Sequence, residues 1–130
     1  MMKPKETDPL IRFLSSFKYA FNGIGYLLQT QRNARIHFIA ALCVIVAGYW
    51  FEISPAEWLF LFFSIGLVIS AELFNTSIEK LTDLAEPEQN PVAGKVKDLA
   101  AGGVLVAALT AAVIGLIIFI PHIVTLFHSI

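Results

Sequence analysis

Residues 99–130 contain no aspartate, glutamate, lysine or arginine, and two further stretches, 36–51 and 58–71, are equally free of them. A helix needs about 20 mainly apolar residues to cross a bilayer core roughly 30 Å thick. Runs of this length have few other places to go. Composition sharpens the point: 57% of the 130 residues are apolar and 15% charged. Soluble domains average roughly 45–50% and about 25%. A domain this small buries too little surface to hide so much apolar matter from water. The sequence therefore predicts an all-α membrane protein with transmembrane helices at 34–51, 55–84 and 91–120. The first charge-free run is short for a span, but Arg35 can snorkel from its end.

The helix ends have their own signals. In Ser54-Pro55-Ala56-Glu57, Ser54 is a good N-cap, Pro55 suits the first helical position and Glu57 completes a capping box. Asn90-Pro91 opens the third span in the same way, and Pro121 is expected to mark its end. Upstream, Asp8-Pro9 starts a further helix, predicted over 8–30. Leu10, Phe13, Leu14, Phe17, Phe21, Ile24 and Leu28 recur there at helical spacing, with Arg12, Ser15, Lys18 and Asn22 on other faces. Such a helix suits the membrane surface. The whole chain, 1–130, reads as a single domain.

Charge is distributed unevenly. Six of the nine basic residues, Lys3, Lys5, Arg12, Lys18, Arg32 and Arg35, lie on the N-terminal side of the first span. Lys80, Lys95 and Lys97 flank the connection between the second and third. The positive-inside rule then places the N-terminus and the 85–90 loop in the cytoplasm and the C-terminus outside. No cleavable signal peptide is expected. The net charge of −1 offers no footprint for a nucleic acid, and the single Cys43 permits no disulfide framework.

Polar chemistry concentrates at the inner end of the second span. Glu72, Asn75, Glu79 and Asp83 are spaced +3, +7 and +11. At 100° per residue they share an arc of about 80°. Glu72 falls roughly 25 Å along the helix from Pro55, close to the cytoplasmic boundary. Acidic side chains at bilayer depth cost roughly 2.5–3.5 kcal/mol and usually serve a function. Three carboxylates on one face repel each other unless a cation sits among them, and magnesium is the natural candidate. Lys97 and Asp98 open the third span at the same level. A lysine beside metal-binding carboxylates suits a nucleoside triphosphate. A carboxylate at the membrane boundary is poorly hydrated, which suits a general base. Gly103, Ala107, Ala111 and Gly115 form a small-residue stripe on which a helix could pack closely, and three spans are few to enclose a site, so a homo-oligomer is expected.

The stretch from Glu72 through Asn75 and Glu79 to Asp83, followed by Lys97-Asp98-Leu-Ala-Ala-Gly102, resembles the signature of the bacterial integral-membrane diacylglycerol kinases, which include the undecaprenol kinases. The resemblance runs from about Arg12 to Pro121. The Thr30-Gln-Arg-Asn33 segment, His37 and Glu57-Trp58 look more like the undecaprenol kinase branch. The resemblance implies a homotrimeric enzyme of the bacterial cytoplasmic membrane that uses ATP and Mg2+ to phosphorylate a lipid hydroxyl, of undecaprenol or diacylglycerol. It assigns Glu72 as general base and Asn75 to holding that base or the acceptor. Glu79 would bind magnesium at the nucleotide. Lys97 would contact the β- and γ-phosphates, and Asp98 the nucleoside. Arg12 and Tyr19 match positions that touch ATP, and Glu88, Gln89 and Asn90 occupy the nucleotide-facing loop. Gln31 stands where the family commonly has a glutamate as a second metal ligand.

Two other readings compete. A small proton-coupled transporter would use a membrane-embedded carboxylate such as Glu72. It predicts acidic groups deep in the bilayer rather than at its boundary beside Lys97. A catalytically weak family member with a scaffold role is the other, and Gln31 is the feature that favours it.

Overall fold

The computed structural model describes residues 8–129. Lys3 and Lys5, which contribute to the charge asymmetry, lie outside the described residues. Four helices follow in order: α1 (Pro9–Thr30), α2 (Arg32–Trp50), α3 (Pro55–Ala85) and α4 (Pro91–His128). The last three are long and apolar enough to cross a membrane.

The starts of α1, α3 and α4 are each built by the residue expected to build them. Asp8 Oδ1 accepts from Leu10 N at 3.0 Å, and Asn90 Oδ1 from Val92 N at 2.8 Å. At Ser54 the capping box is complete. Its hydroxyl accepts from Glu57 N at 3.3 Å, while Glu57 Oε2 accepts from Ser54 N at 2.7 Å. These bonds satisfy amide donors that a helix start leaves unpaired.

Two boundaries differ from expectation by more than one residue. Helix α2 starts at Arg32 rather than 34, one residue after α1 stops. Gln31, in extended conformation, is the whole connection. The junction is bridged by Arg35, whose Nη1 donates to the carbonyls of Leu28 and Gln29 at 3.2 Å each. Those carbonyls end α1 and have no intrahelical partner. The second difference is Pro121, which does not end the third span: α4 runs through it to His128. Proline removes one amide donor, but side chains of neighbouring helices can hold a helix together past it. Here His122 Nε2 lies 3.1 Å from Glu57 Oε1. That bond ties α4, just beyond the proline, to the first turn of α3.

Helices α3 and α4 pack along each other, and α1 and α2 lean on α3 more lightly. The buried core is a small cluster at one end, where Ile53, Leu61 and Ile118 meet Trp58, Phe51 and Phe119. Much of the remaining apolar surface stays open, as in Phe60, Phe63, Leu105 and Ile117. Helix α1 likewise exposes Leu10, Phe13, Leu14, Phe17 and Phe21. The far end of α3, beyond the core cluster, carries the polar residues.

Candidate active site

Glu72 is the most enclosed carboxylate of the array, 3% exposed on the C-terminal half of α3. His37 of α2 faces it, with Nε2 3.3 Å from Oε1. That is an ion-pair distance without the alignment of a hydrogen bond, and Oε1 has no hydrogen-bond donor. One turn further along α3, Asn75 Nδ2 donates to Glu79 Oε1 at 3.3 Å. Asn75 Oδ1 and the neighbouring Thr76 Oγ1 are buried without hydrogen-bond partners. Asp83, near the end of α3, pairs instead with Lys97 of α4.

The three carboxylates therefore do not share one cation within this chain. Glu72 has His37, Glu79 has Asn75 and Asp83 has Lys97. The helical rise separates Glu72 from Glu79 by roughly 10 Å along the axis, too far for one ion to bridge, although they share a face. Among the described residues no group of three or more His, Cys, Asp or Glu side chains is placed to hold a metal. Glu79 and the partnerless Asn75 Oδ1 still fit magnesium, which takes one or two carboxylates and leaves the rest of its shell to phosphates and water.

Around the α3–α4 connection lies an open cleft of about 540 Å3, lined by Asp83, Glu86, Glu88, Gln89, Asn90 and Lys97 among others. It gathers the loop residues Glu88, Gln89 and Asn90 with Lys97. Asp98 is exposed beside Lys97 and does not line the cleft. Arg12 and Tyr19 lie on exposed surface of α1, also outside its lining. Gln31 is half-buried at the α1–α2 break. The structure thus forms two polar centres, Glu72–Asn75–Glu79 with His37, and the loop cleft with Lys97.

A second, apolar cleft of about 520 Å3 opens between α2, α3 and α4. Its lining includes Ala40, Ala41, Val68, Ala108, Ala111 and Gly115, with His37 as the polar exception beside Ser64. Two of the four small residues expected to let α4 pack closely, Ala111 and Gly115, thus border open space within this chain. Ala107, a third, is buried.

Sequence reasoning did not pair His37 with Glu72 or His122 with Glu57. A signal for the first existed. His37 is the one imidazole in the 36–51 run, and an ionisable group inside a span usually has a partner. Its identity required the packing of α2 on α3.

The model of the family described as prokaryotic diacylglycerol kinase matches residues 18–119. An undecaprenol kinase of Bacillus subtilis is 42% identical over 114 residues, covering 88% of this chain and 93% of that protein. A diacylglycerol kinase of Synechocystis is 36% identical over 114 residues, covering 87% and 65%. A diacylglycerol kinase of Escherichia coli is 24% identical over 116 residues, covering 89% and 95%.

Proposed function

This chain belongs to the prokaryotic diacylglycerol kinase family, and from that premise we propose that it is an ATP- and Mg2+-dependent lipid kinase whose acceptor is undecaprenol. Diacylglycerol is the competing acceptor of the same chemistry. The observation that carries the reading is the enclosed Glu72 one turn from the Asn75–Glu79 pair, on the helix that leads to the Lys97 cleft. A base, a metal-compatible pair and a phosphate-binding cation follow one another in that order.

In the reaction the lipid hydroxyl oxygen attacks the γ-phosphorus of ATP. Its proton passes to the Glu72 carboxylate, the bond between the γ-phosphorus and the bridging oxygen breaks, and ADP leaves. Asn75 steadies the acceptor beside the base. Lys97 exchanges Asp83 for the phosphates, an exchange that an exposed ion pair permits at little cost. Magnesium held by Glu79 would offset phosphate charge. Arg12, Tyr19, Asp98 and the loop residues Glu88, Gln89 and Asn90 complete the nucleotide site. Gln31 occupies the second metal position.

The single domain sits in the bacterial cytoplasmic membrane with its N-terminus inside and its C-terminus outside. Helix α1 lies in the cytoplasmic interface on its row of exposed Leu and Phe side chains. The chain assembles as a homotrimer. The open apolar flanks of α2–α4, and the position of Arg12 and Tyr19 outside the cleft lining, support an assembly that completes the site. The test is transfer of labelled phosphate from ATP in mixed micelles containing undecaprenol or diacylglycerol. Incorporation into undecaprenol at the higher kcat/KM is the expected result. Incorporation into neither lipid overturns the reading.

A further inference from the structure

A general base must be held as well as present, and the structure shows what is available to hold Glu72. Its neighbours on α3 are committed or unsuited. Asn75 donates to Glu79. On α2, the nearby Arg35 donates to the carbonyls ending α1. Across the loop, Lys97 is with Asp83. His37 is what reaches Glu72, from a different helix, at 3.3 Å from Oε1.

The contact has the character of a site at rest. The imidazole is close enough to donate but is not aligned, and catalytic hydrogen bonds are often loose before substrate arrives. His37 also lines the apolar cleft, so the ring stands between that open space and the carboxylate. With 26% of its side chain exposed against 4% for that of Glu72, it is the more accessible of the two.

We propose that His37 is the positioning residue for Glu72: its Nε2–H closes onto Oε1 and leaves Oε2 turned toward the lipid hydroxyl. The inference rests on the lipid kinase reading above. His37 makes no bond to phosphorus and transfers no atom. The hydroxyl proton goes to Glu72 Oε2, and the imidazole keeps its own proton throughout. A neutral imidazole with the proton on Nε2 suffices for this. The contact also crosses the α2–α3 interface, so it fixes the base relative to the cleft as well as its rotamer.

The test compares His37→Leu, which keeps volume without a donor, with His37→Gln, whose amide nitrogen can reach where Nε2 stood. Both are assayed in micelles beside the wild type, Glu72→Gln and the double variant Glu72→Gln/His37→Leu. Nucleotide binding and thermal unfolding in detergent are measured on each. His37→Leu is expected to lower kcat by about 10–100-fold, the usual cost of losing a partner that orients a functional group. KM for ATP and lipid should stay within about twofold by the same reasoning. His37→Gln should recover most of the loss. On the Glu72→Gln background, His37→Leu should cost little more, because the group it orients is gone. Equal losses in Leu and Gln, a loss undiminished on the Glu72→Gln background, or a rise in KM at constant kcat would overturn the assignment. An active wild type with an inactive Glu72→Gln and a fully active His37→Leu overturns this inference alone. A wild type that phosphorylates neither lipid overturns the functional reading and this inference with it.

Discussion

At the scale of single residues, the proposed reaction turns on Glu72 being a carboxylate. Glu72→Gln keeps the shape and removes the base, so folding, assembly and nucleotide binding should persist while turnover falls by about 10²–10⁴-fold. Near-normal turnover in the phosphate-transfer assay would remove Glu72 from that role. Gln31 tests the proposed metal site. Its amide oxygen attracts magnesium less than a carboxylate does. Gln31→Glu should therefore lower the magnesium concentration needed for half-maximal activity, as read from titrations of both proteins. Unchanged titrations for Gln31→Glu and Gln31→Ala would mean that the residue sits away from the metal. Much of this site was legible in the sequence, because Glu72, Asn75, Glu79 and Asp83 belong to one helix and the 100° step places them on one face. Their separate partners were not. Asn75 could be guessed for Glu79, four residues away, but His37 and Lys97 reach Glu72 and Asp83 through tertiary packing that periodicity does not encode.

At the scale of elements, helix starts were readable and helix ends less so. Asp8, Ser54 and Asn90 each act through a short-range hydrogen bond that depends only on adjacent residues. Pro121 misled because its effect depends on what surrounds it, here the His122–Glu57 contact with another helix. The turn between α2 and α3 was also hidden. Ile53 N donates to Gly48 O at 3.1 Å and Glu52 N to Tyr49 O at 3.3 Å, with Glu52 at φ 51°. This is a Schellman ending with glutamate where glycine is usual. Glu52→Gly should relieve the left-handed backbone and raise stability by about 0.5–1 kcal/mol, seen as a higher midpoint of unfolding in detergent. Gly48 behaves oppositely. A Cβ there would lie 2.7 Å from Trp58 Cη2 and 3.1 Å from Ile53 Cδ1. Trp58 cannot easily yield, since its ring packs between Tyr49 and Phe62 at centroid distances of 4.9 and 5.4 Å. Gly48→Ala should thus destabilise by about 1–3 kcal/mol from overpacking, less the roughly 1 kcal/mol that alanine gains in a helix. A raised unfolding midpoint would show that the α2–α3 hairpin does not close as described.

For the whole molecule, one asymmetry orders everything else. The apolar flanks of α2, α3 and α4 cannot face water, so the bilayer or other copies of the chain must cover them. Once the spans are set, the basic residues choose the side: they gather before α2 and around the α3–α4 connection, and none follows Lys97. The cleft proposed to take the nucleotide lies at that same connection, lined by Glu88, Gln89, Asn90 and Lys97 among others. Because ATP is cytoplasmic, topology and function stand or fall together. In the proposed orientation the core cluster of Ile53, Leu61 and Ile118 lies at the outer end, where the capping box and the His122–Glu57 contact close the bundle. Cysteine labelling checks this directly. Cys43 is exposed on α2 and must first be replaced, for example as Cys43→Ala, so that it does not contribute signal. On that background Glu88→Cys should react with a membrane-impermeant maleimide only after the inner face is opened, and Ser129→Cys in intact cells. The opposite pattern would place Glu72 and Lys97 on the side without ATP, and no lipid kinase could work in that orientation.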